Sequence, residues 1–355
     1  MHKILIIIQR SNGDVFLSSP LINALKNKYK NVQIDMLVNE DTLGIAKMLD
    51  HVQTIHTFSY KRKKEQGFVQ EQDIIKAIYK KYDMSINLTA SDRSVIYALL
   101  ASKYAISAVE PEEKKSWWKR LFLKHSYRFD SQDSIVRNNI KSLALLGIEC
   151  SRVDVHISCT EKAKKSITEK LKIYNIKQYL IFHPSAQYRY KIYPTQLRHT
   201  LLECLNTLNI PIIITGAKTP IDMEIKAQLP SLENLYDFIG KTTLDEYVAL
   251  SEGCMAYIGM DTLNMHIAAA QDKRIFAIFG PTLLSIWSPW SNLLQKNTNT
   301  NMPMQTYGNI TLFQAQMSCV ACGKAGCDDA HGKSDCLYQI APQIVCNEVK
   351  VWLTK

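Results

Sequence analysis

Residues 3–30 read KILIIIQRSNGDVFLSSPLINALKNKYK, and their reading decides the fold class. Lys3–Ile8 is an unbroken aliphatic run with no polar alternation, the pattern of a strand covered on both faces. The stretch 14–30 then carries Val15, Leu17, Leu21, Ile22 and Leu25 at helical spacing. A doubly covered strand followed at once by an amphipathic helix opens a β/α unit of a parallel sheet.

The same alternation extends outward. Residues 32–38, 52–58, 83–88 and 104–109 read as further strands, with helices over 42–49, 73–81 and 92–102. A second series starts at 178–183 (QYLIFH) and continues at 210–215 (IPIIIT), 235–239, 255–259 and 273–279 (KRIFAIF). Helices fit at 195–208, 221–229, 244–252 and 262–270. Two such series predict an α/β chain of two Rossmann-like, doubly wound domains facing across a cleft, with ligands outside the carboxyl ends of the strands. The expected limits are 1–165, 175–340 with a cysteine-rich segment at 319–336, and a final helix over 341–355.

Composition narrows the function classes. The chain has 355 residues, 46% hydrophobic and 21% charged, which fits an ordinary globular protein rather than a disordered or fibrous one. No apolar run approaches the roughly 20 residues that span a bilayer. The opening run Ile4–Ile8 is too short for a signal-peptide core, so a cytoplasmic location is expected. The net charge of +10 suits an anionic partner: nucleotide phosphates, nucleic acid or an acidic membrane surface. No helix-turn-helix, RNA-recognition or finger motif supports nucleic acid. Residues 114–129 (KKSWWKRLFLKHSYRF) mix basic and aromatic residues and read either as a helix packed by its aromatic face or as a surface for an anionic membrane. Residues 61–64 (KRKK) are a second basic cluster.

Four stretches carry residues suited to chemistry. Residues 9–14 (QRSNGD) join the first strand to the first helix; they contain neither a dinucleotide fingerprint nor a P-loop. Gly13 supplies a flexible backbone position, and Asp14 is either an N-cap or a general base at a strand end. Residues 183–194 (HPSAQYRYKIYP) offer Ser185, Arg189 and Lys191 to phosphate, or form a solvated basic loop. Residues 259–270 (GMDTLNMHIAAA) place Asp261 or Thr262 at a helix start, with Asn264 in its first turn and His266 on the face of Thr262. Gly280, Pro281 and Thr282 end the next strand as a second ligand loop or a plain turn. Cys319, Cys322, Cys327 and Cys336 are spaced as a structural zinc knuckle, with disulfides or free thiols as alternatives. Cys150, Cys159, Cys204, Cys254 and Cys346 read as small buried hydrophobes.

In order and spacing, ILIIIQRSNGD, SSPLINALKNKY, IDMLV, HPSAQYRYKIYP, IITG, GMDTLNMHIAAA, IFGPT and SPW resemble the family 9 glycosyltransferases, the bacterial ADP-heptose:lipopolysaccharide heptosyltransferases. The tail CVACGKAGCDDAHGKSDCL resembles the cysteine-bearing end of members of the heptosyltransferase III type. The resemblance implies a GT-B fold and an inverting, metal-independent transfer of heptose from ADP-heptose to the inner core of lipopolysaccharide or lipooligosaccharide. It implies no catalytic cofactor, a lipid A–core acceptor, and peripheral contact with the cytoplasmic face of the inner membrane. Asp14 matches the family's proposed base and Lys191 the lysine on the donor phosphates. Asp261, Thr262 and His266 match the donor-site helix start, and Gly280 to Thr282 the adjacent loop. The family pattern D-[TS]-G-x-x-H is met except that Leu263 replaces glycine, and Tyr193 stands where tryptophan is frequent. The alternatives from other classes are a transferase for a different nucleotide sugar, a nucleotide-sugar epimerase, and a non-catalytic polyanion-binding protein.

Overall fold

A computed structural model describes residues 1–354, which divide into two units, Met1–His156 and the chain from Ile157 onward. The first unit holds β1 (Lys3–Ile8), β2 (Gln33–Asn39), β3 (Val52–Phe58), β4 (Met84–Asn87), β5 (Ala105–Val109) and β6 (His125–Arg128). They form one parallel sheet in the order β3-β2-β1-β4-β5-β6. Ile4 to Ile8 are buried, which is why the run shows no alternation: helices cover both faces of the central strand.

The second unit repeats the plan with β7 (Leu180–His183), β8 (Ile212–Ile214), β9 (Leu235–Asp237), β10 (Ala256–Met260), β11 (Arg274–Ile278), β12 (Met304–Tyr307) and β13 (Ile310–Phe313). The sheet order is β12-β13-β11-β10-β7-β8-β9, parallel except for the β12–β13 pair. From β9 through β13 this is the 3-2-1-4-5-6 order of a Rossmann sheet. Gly259 is needed where β10 passes β7, since a Cβ there would stand 2.4 Å from the His183 carbonyl oxygen.

Several sequence expectations are corrected. The helix over 14–30 is two helices, Asn12–Phe16 and Ser19–Lys28. Pro20 has no N–H to give and is tolerated only in a first turn, so the chain restarts there. The helix expected over 73–81 begins at Tyr60, with a kink at Gln66; its polar first half hides the periodicity. The first unit ends at His156, short of the expected 165. The helix Glu161–Ile173 belongs to the second unit, where Ser166 and Lys170 both bond Glu246 (2.5 and 2.8 Å). The final helix, Pro342–Leu353, is no separate piece: it packs on Thr195–Asn206. A Cys204–Cys346 disulfide joins those two helices, so neither residue is the free buried thiol that its apolar surroundings suggest.

Candidate functional site

In the first unit the polar residues gather where β1 and β2 end. Asp14 is the third helical residue of Asn12–Phe16, and Ser11, not Asp14, is the N-cap. The Ser11 N–H and hydroxyl both donate to Asp14 Oδ2 (3.2 and 2.6 Å), a capping box that fixes the carboxylate. Asp14 Oδ1 faces Arg10 Nε at 3.0 Å but accepts no hydrogen bond. Two neighbours share this condition: Gln9 Nε2 and Asn39 Oδ1 are buried without partners. Asn39 donates to the Arg10 carbonyl (3.1 Å), which holds its oxygen free. Gly13, expected as a flexible loop position, is instead the second residue of the helix Asn12–Phe16; it has no positive φ and a Cβ there would meet nothing within 4 Å, so the backbone does not require glycine.

In the second unit the strand ends of β7, β10 and β11 converge. Thr262 is the N-cap of the helix Leu263–Ala270, yet its side chain makes no capping bond. The Met265 N–H donates to the Thr262 carbonyl (3.1 Å), and the Thr262 hydroxyl and the positive helix end are left for an anion. Lys191, on the short turn Arg189–Lys191, donates to Asp261 Oδ2 at 2.9 Å. Burial pulls the Lys191 ammonium down, but the adjacent Asp261 carboxylate and its hydrogen bond outweigh that and hold it above the ordinary lysine value. Thr262 Oγ1, His266 Nδ1 and Thr282 Oγ1 are buried with no hydrogen-bond partner. Burial pushes His266 down to about 4, reinforced by Lys191 and opposed by Asp261, so the imidazole is neutral at pH 7. Ser185 is buried beside this group in sequence, two residues beyond β7.

Buried polar groups are nearly always paired, and exceptions ask for an explanation. Of the eleven buried, unpartnered side-chain atoms among the described residues, six lie at these two places. Both places are carboxyl ends of parallel strands, where open α/β sheets bind ligands.

The structure redistributes some sequence-derived roles. Arg189 is exposed and engaged bidentately by Glu224 (3.2 and 2.6 Å), which competes with any phosphate role. Asn264 bonds the ring of His183 (2.9 Å), whose Nδ1 also lies 2.9 Å from Thr215 Oγ1. Burial drives His183 to about 4 as well. Gly280 is packed beneath Leu337, 3.0 Å from where its Cβ would stand, so the close approach there is to the chain's own tail. Pro281 O accepts from Gly323 N (2.7 Å), and Ser334 donates to Tyr190 O (2.7 Å). The cysteine-rich tail is thus stitched to both donor-side loops. Leu263 starts its helix with no positive φ, so a side chain is accommodated where the family pattern has glycine.

The zinc knuckle does not fit. Among the described residues no three His, Cys, Asp or Glu side chains gather as metal ligands. Cys336 is buried in the apolar core, while Cys319, Cys322 and Cys327 are exposed thiols. Cys327 instead accepts the Asp335 N–H at 3.3 Å. Neither type nor spacing marks Gln9, Asn39, His183 or Thr215. Their only sequence signal is their place directly after, or at the end of, a buried aliphatic run.

Comparison with known proteins matches residues 72–315 to the family described as Glycosyltransferase family 9 (heptosyltransferase). The lipopolysaccharide heptosyltransferase 3 of Escherichia coli is 25% identical over 295 residues, covering 80% of this chain and 85% of that one. Among solved structures, the ADP-heptose lps heptosyltransferase II of E. coli aligns with a TM-score of 0.73 at 18% identity, over 99% of this chain and 98% of that one. The E. coli heptosyltransferase WaaC with ADP aligns with a TM-score of 0.72 at 16% identity, over 98% and 99%. The fold is therefore that of the GT-B heptosyltransferases.

Proposed function

Because the chain belongs to glycosyltransferase family 9, we propose that it transfers a heptose from ADP-heptose to an inner-core acceptor of lipopolysaccharide or lipooligosaccharide. The observation that carries this reading is the donor-rich corner of the second unit. Its unpartnered Thr262, Thr282 and His266, its lysine and its open helix start suit a diphosphate. The E. coli relatives are named as heptosyltransferases, and one was solved with ADP.

In this reading the reaction uses a general base and a cation on the departing diphosphate. Asp14 Oδ1 takes the proton of the acceptor hydroxyl as its oxygen bonds to the anomeric carbon. The bond from that carbon to the ADP oxygen breaks on the opposite face, so configuration inverts. Lys191 and the N–H groups at the start of Leu263–Ala270 stabilise the charge that develops on the departing diphosphate. In this reading they do the work that a divalent cation does elsewhere, and no metal enters a step. Asp261 holds Lys191 in place before the donor arrives, which lowers the cost of organising the site. The acceptor's lipid anchor places the enzyme's work at a membrane surface; no helix among the described residues is long and apolar enough to cross one.

The test is mass spectrometry of truncated core acceptors incubated with purified protein and a panel of nucleotide sugars. The expected product is one heptose heavier, with ADP released only when acceptor is present. Hexose transfer would reassign the donor. Release of an altered sugar without acceptor would mark an epimerase. Salt-sensitive polyanion binding with no ADP release would overturn the enzyme reading.

A further inference from the structure

The helix Glu113–Phe122 is built inside out. Its inward side carries the buried Ser116 and Lys119, and its outward side carries Trp117, Leu121 and Phe122, exposed by 65, 70 and 65%. Lys119 explains the orientation: its ammonium is fully buried and bonds Glu110 (2.7 Å), Asp92 (2.8 Å) and the Ala90 carbonyl (2.6 Å). A buried, multiply paired charge costs several kcal/mol to uncouple, so the helix cannot roll to hide its aromatic side. A surface helix ordinarily turns its apolar stripe to the core.

The neighbouring helices extend the pattern. Tyr60–Ile78 packs beside Asp92–Ala101, which packs beside Glu113–Phe122. Their inward residues Ile74, Ile78, Val95 and Ala98 join the core, while Phe68, Val69 and Ile96 are exposed. The unpaired charge around these residues is mostly basic. Lys61, Lys63, Lys64, Lys114 and Lys124 are exposed; none is in an ion pair, whereas Arg62 is matched with Asp73, Lys115 with Glu112, and Arg120 and Arg128 with Glu113. Glu65 is the one exposed acid of the segment 60–66.

We propose that the outer face of these three helices docks on an anionic phospholipid bilayer, with Trp117, Leu121, Phe122 and Phe68 entering the headgroup–acyl boundary and the unpaired lysines meeting lipid phosphates. Aromatic and leucine side chains flanked by lysine are the composition of interfacial helices, and unpaired lysines add attraction to anionic lipid. A protein partner is the poorer fit, because protein interfaces are depleted in lysine. The proposal deepens the reading of a lipid-anchored acceptor by naming the face that meets the membrane, and it stands on geometry independent of the donor corner.

The experiment is co-sedimentation of the full chain with vesicles of phosphatidylcholine alone and of phosphatidylcholine mixed with phosphatidylglycerol. Binding to the anionic vesicles only, falling with salt, is expected. The triple variants Trp117→Ser/Leu121→Ser/Phe122→Ser and Lys61→Glu/Lys63→Glu/Lys64→Glu should each bind at least about tenfold more weakly. Both should keep wild-type transfer to a soluble, delipidated core oligosaccharide. The lysine variant changes only exposed side chains, so it carries the test where the apolar variant fails to fold. Wild-type protein that ignores anionic vesicles, or variants that bind as the wild type does, would overturn the proposal. So would a dimer in light scattering that the apolar variant dissolves, which would mean that a second copy covers the face. Vesicle binding with no transfer to any acceptor would leave this proposal standing and remove the transferase reading instead.

Discussion

Asp14, in the helix that follows β1, and Asp261, directly after β10, both lie beyond the carboxyl end of a buried parallel strand of a Rossmann sheet and are exposed by only 4 and 7%. Each faces a basic side chain, Arg10 or Lys191, but the unpaired groups around them differ. Around Asp14 two of the three atoms without a hydrogen-bond partner are acceptors, the oxygens Asp14 Oδ1 and Asn39 Oδ1, with the Gln9 amide and the Arg10 guanidinium, 3.0 Å from Asp14 Oδ1, as the donors. Around Asp261 stand the Thr262 and Thr282 hydroxyls, the Lys191 ammonium and a helix start, all able to donate. Each carboxylate thus has one cation beside it, Arg10 or Lys191, and the corners differ in their unpaired neighbours: oxygens predominate around Asp14, and hydroxyls with a helix start around Asp261. Fold alone does not set what a strand-end pocket takes; the sign of its unpaired atoms does.

The sharpest way to break the comparison is Asp14→Asn. Losing the base should lower kcat by about 10²–10⁴ while ADP still raises the melting temperature as in the wild type. An Asp14→Asn enzyme that turns over normally, or that no longer responds to ADP, would erase the division of labour between the corners. Lys191→Ala should have the mirror effect: a loss of about 10²–10³ in kcat together with a smaller ADP-induced rise in melting temperature. Unchanged ADP stabilisation in that variant would move the diphosphate elsewhere.

The smallest expected effect is on pH dependence. Burial holds His183 and His266 at about 4 in the folded chain, against about 6.5 when exposed. The unfolded chain therefore binds protons first as pH falls. Stability from these two groups is complete above about 6.5 and is lost between there and about 4. The urea midpoint of the wild type should drop from pH 7 to pH 5, and His266→Gln should flatten that drop. An unaltered slope in the variant would mean that His266 is not the buried neutral group described.

Much of this was legible in the chain because buried parallel strands are continuous aliphatic runs. Lys3–Ile8 and Val52–Phe58 could be read to the residue, and GMDTLNMHIAAA announced a strand end meeting a helix start. What escaped reading depends on distant partners. The strand His125–Arg128 has no buried aliphatic run and is hidden in a basic, aromatic stretch. Glu224, which occupies Arg189, and Cys346, which pairs with Cys204, lie 35 and 142 residues away from their partners. Asn39 gains meaning only because β1 and β2 end side by side. The inverted helix Glu113–Phe122 follows from where Lys119 finds its carboxylates, which periodicity cannot report.

The strand order of the second sheet also sets a timetable for biosynthesis. The first sheet is complete within the first 156 residues, so it can mature while the ribosome is still extending the chain. The second sheet seats β13 beside β11 only after residue 313 has been made, and the sulfur of Cys204 waits for Cys346 before it is covalently tied. During that interval the apolar faces of β7, β10 and β11 have no finished shelter. The later half of the molecule is therefore the half that a nascent-chain chaperone would be called on to guard.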